Sequence, residues 1–438
     1  MTLEELDQLS KDDLIALVLK LADRIAQLEG ERDDHSEPKA KHAASWVKAS
    51  VAEPEEKRQR KQRPHGFARK REEPTHRVQH AAASCPHCQC SLTGGWVRRR
   101  RQVLHIPLVP VQVIDHEVIA RQCPQCGREV VPEVDLSAEV IDQHRVSVQT
   151  MSVIATLREV GRLPVRTIQW YLDTLHGLKL SVGELVEILH TVAKLGKATL
   201  EDLLEQVRAG PVVNADETGW RENGRNGYVW TFSTPEVRYF LYRHSRSGEV
   251  VTEALGEEFT GHLVTDFYGA YNRMLGPHQR CWAHLLRDIH KLKEEYPDDV
   301  VLHRWARRVH RIFIWGKGFR SEDNERRLRA RYLFERLLNR VCQPFRQGQA
   351  PQRKLCQRIE RFLSELFAFV ADPRVPSDNN AAERSLRPLV VSRKISGGTR
   401  APQGSNTKMS LASLFGTWQV RGENPFRSCQ KLLLSPRV

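Results

Sequence analysis

Residues 377–398 read SDNNAAERSLRPLVVSRKISGG, and the organisation of the chain turns on how that stretch is placed. Asp372-Pro373 and Pro376 stop whatever precedes it, and Ser377-Asp378 supply capping side chains, so a helix is expected from about Asn379. On such a helix Asn379 and Glu383 share one face a turn apart, with Arg384 and Arg387 beside them. A carboxylate ringed by cations results. It reads either as a solvated helix face or as one member of an acidic site. Beyond it, Leu389-Val390-Val391 leads to Ser392–Gly398, which reads as a cationic, glycine-bearing loop able to approach a phosphate backbone. Arg387, Arg393 and Lys394 are candidate strand-holding residues there.

Upstream, two β-branched runs each reach an aspartate. PVVNADETGW (211–220) carries Asp216, and HLVTDFYGAY (262–271) carries Asp266. Tyr228–Phe232 and Val237–Tyr242 lie between them in the manner of a hairpin. The order is a strand with Asp, two more strands, a strand with Asp, a long insert, then a helix with Glu. Three carboxylates brought together can hold two divalent cations about 4 Å apart for phosphodiester transfer. Magnesium suits such a set, because it is a hard ion that takes carboxylate oxygens and shares substrate phosphates.

The phrases NADETGW, TDFYGAYN, CWAH and DNNAAERSLRP, in that order, make the chain similar to the bacterial insertion sequence 66 family of transposases. The resemblance implies a ribonuclease-H-like catalytic domain with an Asp-Asp-Glu triad, carried over to Asp216, Asp266 and Glu383. Glu217, next to Asp216, and Asp378, five residues before Glu383, are alternative ligands if the strand or helix register differs.

Lys and Arg number 68 against 54 Asp and Glu, giving a net charge of +14 and a pI near 9.5. Such a balance favours a polyanionic partner, nucleic acid first. No apolar run approaches the roughly 20 residues needed to span a bilayer, and no signal pattern begins the chain, so a cytoplasmic, nucleoid-associated protein with no membrane partner is expected. Four of nine cysteines form two Cys-x-x-Cys pairs and five are scattered, which argues against a secreted disulfide framework.

Taken in order, residues 1–31 repeat Leu14, Leu17, Leu21, Ile25 and Leu28 as a short coiled coil does, which suits a homo-oligomer; an amphipathic helix docked on its own chain is the alternative. Residues 32–83 form a basic linker whose run from Lys57 to Arg71 holds no acid, a source of sequence-independent DNA contact. Cys85, Cys88, Cys123 and Cys126 have the spacing of a four-thiolate zinc site, with His87 and Cys90 near enough to substitute. Strands over Gln102–Ile106 and Val111–Ile119 are expected between the knuckles, and Arg98, Arg99, Arg100 and Arg101 place a cationic patch on that module.

Pro164–Leu175 and Ser181–Leu195 read as two helices around a tight turn, with Ser181 as N-cap and Glu184 completing a capping box; a DNA-binding helix-turn-helix and plain structural packing are both open. Residues 281–370 read as an arginine-rich helical insertion, in which Arg304, Arg307, Arg308 and Arg311 are expected to face DNA. It opens on Cys281 and His284, read with Asn379 as supporting residues, the first two as a buried structural pair. Met409–Val420 is expected to pack on the sheet.

The expected architecture is therefore α+β and multidomain: coiled-coil helix 1–31, basic linker 32–83, zinc-binding ribbon 84–135, helical domain 136–210, and a ribonuclease-H-like α/β catalytic domain over 211–280 and 371–438 interrupted by the helical insertion 281–370. The expected function is DNA transposition: binding of the ends of an insertion sequence, two-metal phosphodiester cleavage and strand transfer into target DNA. Two Mg2+ or Mn2+ ions and one structural Zn2+ are the expected cofactors. Double-stranded DNA is the expected partner, and the resemblance adds helper proteins from the same element. The alternatives are a zinc-ribbon DNA-binding regulator and a structure-specific nuclease of the same fold without strand transfer.

Overall fold

The computed structural model describes residues 72–435. The expected N-terminal helix and the basic run from Lys57 to Arg71 lie outside the described residues. The described chain divides into two units, 72–109 and 110–435, each described by itself.

In the first unit a β-bridge between Ser84 and Ser91 closes a tight turn around Cys85 and Cys88. The rest of the unit has no regular secondary structure, so the expected strand at Gln102–Ile106 does not form. Val103, Leu104 and Ile106 are all exposed. A run of β-branched residues becomes a strand only when neighbouring strands and an apolar face receive it, and neither is present.

The second unit begins with a comparable stretch. The strand expected at Val111–Ile119 is also absent, and only a two-residue pair, β1 (Arg121–Gln122) with β2 (Glu129–Val130), flanks the second cysteine knuckle. Four helices follow, α1 (Val148–Glu159), α2 (Val165–His176), α3 (Val182–Leu195) and α4 (Lys197–Arg208). Gly177 at φ 67° ends α2 in the left-handed conformation that glycine adopts without strain. Ser181 caps α3 by accepting from the Glu184 backbone N–H at 3.1 Å, as expected. The Glu184 carboxylate instead takes the Arg145 guanidinium at 2.8 Å, so the capping box is not completed. Leu185, Ile188, Leu189 and Val192 of α3 are buried in a core shared with the sheet.

That sheet has the order β5-β4-β3-β6-β7, made of β3 (Val212–Glu222), β4 (Arg225–Ser233), β5 (Arg238–Arg243), β6 (His262–Thr265) and β7 (His278–Arg280). β3, β4 and β5 are antiparallel, whereas β6 runs parallel to β3 and β7 parallel to β6. Asn223 (φ 48°) and Gly224 (φ 78°) form the two-residue β3–β4 turn, whose positive φ at both positions matches the twist of a hairpin.

Alternation along β3 assigns its two faces. Val213 and Ala215, with Trp230, Phe232 and Leu263, join the core built by α1–α4, α5 (Glu249–Leu255) and two C-terminal helices. Val212 and Val264 look the other way, towards Ala368 and Val375, and Trp220 and Val229 meet Leu386 and Leu389 on that same side. The residue types sort the layers, and each large apolar side chain buried adds about 1.5–3 kcal/mol.

Residues 281–371 form α6 (Trp282–Glu295), α7 (Val300–Gly318), α8 (Asn324–Cys342), α9 (Arg353–Arg361) and α10 (Ala368–Ala371) around their own core, in which Trp282 stacks on Phe313 with ring centres 4.8 Å apart. The chain then returns to the sheet as α11 (Asn380–Ser396), α12 (Pro402–Val420) and α13 (Pro425–Leu434). α12 closes the β5 edge: the Ser413 and Thr417 hydroxyls accept from the backbone N–H groups of Phe240 (2.9 Å) and Arg238 (3.0 Å). An otherwise open strand edge is thereby paired.

The loop expected at Ser392–Gly398 is largely helical, because α11 continues through Pro388 to Ser396 and stops at Gly397 (φ 73°). Leu389 and Ser392 stay buried and carry the helix on. The close approach allowed by Gly398 is to the protein's own backbone, since a Cβ there would stand 2.1 Å from the Arg221 carbonyl oxygen. Among the described residues no helix is long and apolar enough to cross a membrane.

Candidate active site

β3 and β6 pair Val212 with His262, Val213 with Leu263 and Asn214 with Val264. Asp216 and Asp266 each stand two residues beyond the last of those pairs, so the register carries both aspartates to one level, Asp216 midway along β3 and Asp266 just past the end of β6. The Glu217 backbone N–H donates to Asp216 Oδ1 at 2.8 Å, and the Tyr268 backbone N–H donates to Asp266 Oδ1 at 2.8 Å.

Glu383 comes from α11, whose N-cap is Asn379. Asn379 is fully buried, and its amide bonds both ways: Nδ2 donates to the Ala215 carbonyl at 2.8 Å, while Oδ1 accepts from Asn214 Nδ2 at 2.9 Å. Its backbone N–H donates to Cys281 Sγ at 3.2 Å. Cys281 in turn donates its backbone N–H to the Thr265 carbonyl, at 2.8 Å. The helix start before Glu383 is thus hydrogen-bonded to the strand beside Asp216 and, through Cys281, to the strand beside Asp266. Burial pushes the Cys281 thiol up, which keeps it neutral in this role. His284 lies one turn along α6, with Nε2 3.8 Å from Glu383 Oε1 and a buried Nδ1 that has no partner.

The neighbouring carboxylates act on Asp216. Burial first, then Glu217, Asp266 and Glu383, push the Asp216 carboxyl up to about 8. A carboxyl that resists ionising beside two others marks a place short of positive charge, which is the condition a divalent cation relieves. Among the described residues no group of three or more His, Cys, Asp or Glu side chains is gathered tightly enough to enclose an ion. The donor set is nonetheless hard oxygen, which fits magnesium or manganese.

Glu217 faces away from this set. Its Oε1 accepts from Arg246 at 2.6 Å and its Oε2 from the Tyr271 hydroxyl at 2.5 Å. Asp378 caps the start of α11, its Oδ1 accepting from the Asn380 N–H at 3.2 Å. Of the two alternative ligands, Glu217 thus has both carboxylate oxygens engaged, and Asp378 has Oδ1 engaged.

Arg280 has no counterpart in the sequence reading. Only 1% exposed, it binds Glu365 at 2.5 Å, the Thr265 hydroxyl at 3.1 Å, the Asp266 carbonyl at 3.0 Å and Asn272 Oδ1 at 2.7 Å. It holds the backbone on which Asp266 sits. The available signal was a polar triplet, His278-Gln279-Arg280, just before the insertion, which does not look like a strand.

The expected DNA-contacting cations are divided. Arg384 and Arg387 are exposed on α11 beside Glu383, and Lys394 is exposed near its end. Arg393 instead donates to the Gly219 carbonyl and, at 3.3 Å, to the Thr218 hydroxyl, holding β3. Arg98–Arg101 are exposed in the first unit, and Arg304 and Arg307 are exposed on α7. Cys85 and Cys88 belong to the first unit, Cys123 and Cys126 to the second. Each pair sits on its own closed turn: Gln89 N–H donates to the Cys85 carbonyl at 2.8 Å, and Gly127 N–H to the Cys123 carbonyl at 2.8 Å. Backbone N–H groups of Cys126 and Gln125 hold the Cys123 thiol below its usual range, favouring thiolate.

A family model described as Transposase IS66 family matches residues 143–407. The chain is 23% identical over 340 residues to the uncharacterized protein y4qI of Sinorhizobium fredii (strain NBRC 101917 / NGR234), across 68% of this chain and 61% of that protein. It is 27% identical over 285 residues to y4jD of the same organism (57% and 55%) and 30% identical over 162 residues to y4jO (36% and 48%), both also uncharacterized. The chain spans about half to three fifths of the length of these relatives.

Proposed function

This chain belongs to the IS66 family of transposases, and from that premise we propose a metal-dependent DNA transposase whose acidic site is Asp216, Asp266 and Glu383. The observation that carries the reading is the β3–β6 register, which sets both aspartates at one level while Asn379 bonds the Glu383 helix to the same strand. The catalytic domain is ribonuclease-H-like, over 211–280 and 371–438, with the insertion at 281–370. The strand order, three antiparallel strands continued by two parallel ones, supports that assignment.

Asp216, Asp266 and Glu383 would hold two Mg2+ or Mn2+ ions. When bound, such ions supply activation of the attacking water or hydroxyl and charge neutralisation at the leaving oxygen. The residues of the chain hold and orient: Arg280 and the Tyr268 N–H fix Asp266, and Asn379 with Cys281 fixes the approach of Glu383. Water would cleave a phosphodiester at the element end and free a 3′ hydroxyl; that hydroxyl would then attack a target phosphodiester and displace the target strand's own 3′ hydroxyl, so no Ser or Tyr nucleophile is required. Arg384, Arg387 and Lys394 line the DNA path, with Arg98–Arg101 on the cysteine-bearing module as a further contact. By their sequence spacing, Cys85, Cys88, Cys123 and Cys126 would hold one structural zinc. Self-association runs through residues 1–31, and proteins encoded by the same element assist.

The test is end cleavage and strand transfer with Asp216→Ala, Asp266→Ala and Glu383→Ala in magnesium. Loss of both steps in all three is expected, and wild-type turnover by any one removes that residue from the triad. Hydrolysed ends that are never joined would favour the nuclease. Metal analysis of the purified chain, before and after Cys85→Ser and Cys123→Ser, checks the zinc.

A further inference from the structure

The helical insertion leaves the sheet through α6, which starts just after β7 and brings His284 Nε2 to 3.8 Å from Glu383 Oε1. Helical spacing puts Arg287, Asp288 and Lys291 on the face that His284 begins, and both cations are exposed. Arg287 and Lys291 stand about 6 Å apart along the helix axis, under two base steps of about 3.4 Å. Neighbouring phosphates of one strand suit that spacing.

A second helix is bound to that face. Asp288 accepts from Arg358 Nη1 of α9 at 2.7 Å, and the same guanidinium lies 5.2 Å from the ring centre of Phe267, the residue after Asp266. Phe267 meets Phe362 edge to face with ring centres 5.6 Å apart, and the Arg361 guanidinium lies 5.2 Å from the Phe362 ring centre. Asp288 and the two rings therefore fix α9 against α6 and against the backbone at Asp266. Arg361 follows Arg358 by one turn on the same face and is exposed. The acids here are already paired: Asp288 with Arg358, Glu360 with Arg346 at 2.9 Å and Glu294 with His290 at 3.8 Å. Glu295 stands at the far end of α6.

We propose that this α6–α9 face is a second wall of the DNA channel: Arg287, Lys291 and Arg361 take backbone phosphates on the Asp266 side of the site, as Arg384 and Arg387 do beside Glu383. Asp288 is the positioning residue that holds the wall together through Arg358. The inference rests on the DNA-cleaving site proposed above. Charge alone would not place a strand. Here the cations are mounted on helices that reach Glu383 through His284 and the Asp266 backbone through Phe267, so a phosphate they hold lies beside the reacting bond. Arg358, committed to Asp288 and Phe267, anchors the wall and leaves the phosphates to its neighbours.

The experiment measures binding of the full chain to a duplex of arbitrary sequence at several salt concentrations, beside thermal melts. The triple variant Arg287→Gln, Lys291→Gln, Arg361→Gln lowers the salt slope by about 3, one counterion for each phosphate contact, and melts as the wild type does. A control triple, Arg326→Gln, Arg329→Gln, Arg374→Gln, removes the same charge from exposed arginines already paired with Asp323, Glu325 and Asp372, and keeps the wild-type slope. An unchanged slope in the first triple, or an equal fall in both, overturns the proposal. Arg287→Gln alone, with an expected fall of about 1, decides the matter if the triple does not fold. Placement is read with uncharged methylphosphonate linkages set beside the cleaved bond of the element end. They weaken binding by the wild type, weaken it less in Asp288→Asn and leave the first triple unaffected. Equal weakening in the wild type and the triple puts the contact elsewhere on the duplex and overturns the wall; a wild-type response in Asp288→Asn removes the positioning role. Catalysis is a separate readout: if the first triple shows its reduced slope while Asp216→Ala cleaves as the wild type does, the carboxylate site falls and the wall stands as a DNA surface.

Discussion

Asn379 Nδ2 donates to the Ala215 carbonyl at 2.8 Å, so the residue that starts the Glu383 helix is bonded to the residue before Asp216. Sequence separates the two by 164 positions. Asn379→Ala removes this bond and leaves Asn214 Nδ2 without its acceptor. Each buried polar group so orphaned costs about 1–3 kcal/mol, to be read from denaturant melts. End cleavage falls further than the stability loss accounts for, because Glu383 loses its fixed approach. Full activity in a folded Asn379→Ala protein would remove the latch from the mechanism.

The Asp216 carboxyl, pushed up to about 8, sets a pH dependence with a definite sign. Between about pH 4, where this group ionises in the unfolded chain, and about pH 8, the folded cation-free chain keeps a proton that the unfolded chain has released. The stability from that proton is fully present below the unfolded value and is lost as pH rises through about 8. The melting temperature of the cation-free protein should therefore fall from pH 5 to pH 8.5, and Asp216→Asn should flatten the fall. Divalent ions added at pH 7 should release a proton, seen as a calorimetric heat that depends on the buffer. A wild-type melting curve already flat over that range counts against the crowding of carboxylates.

Arg280 makes a third case, of a different kind. Its guanidinium is buried and ion-paired with Glu365, whose side chain is 26% exposed. Arg280→Met leaves that carboxylate and the Asp266 carbonyl without their donor. Breaking a buried pair from one side costs about 3–5 kcal/mol, towards the low end here because Glu365 retains some water. Urea unfolding measures it. A loss under about 1 kcal/mol would mean that solvent satisfies those groups and that Arg280 does not hold β7 against β6.

These three positions also mark how far the sequence could be read. The strands bearing Asp216 and Asp266 and the start of the Glu383 helix are legible because local signals, β-branched runs and a capping cluster, coincide with the fold. β7 is not legible, since its His278-Gln279-Arg280 is buried by hydrogen bonds to Leu366, Glu365 and Asn272 rather than by apolar character. The expected strands at 102–106 and 111–119 fail for the converse reason: the residues are apolar and β-branched, but no sheet receives them. Glu217 differs from Asp216 only through strand alternation and through partners 29 and 54 positions away, Arg246 and Tyr271. No local pattern announces such partners.

The cations of α11 should separate by what they already touch. Arg384 and Arg387 are exposed beside Glu383, whereas Arg393 donates to the Gly219 carbonyl and the Thr218 hydroxyl of the strand that carries Asp216. An arginine that meets a phosphate releases about one counterion, so Arg384→Gln and Arg387→Gln should each weaken DNA binding on every sequence and lower the salt slope by about 1. Arg393→Gln should leave the slope unchanged and instead lower stability by about 1–3 kcal/mol, as loss of a charged donor to a backbone carbonyl does. DNA titrations at several salt concentrations, run beside denaturant melts of the same three proteins, make the comparison. A reduced slope for Arg393→Gln with unaltered stability would mean that its guanidinium leaves Gly219 for the DNA backbone when the complex forms.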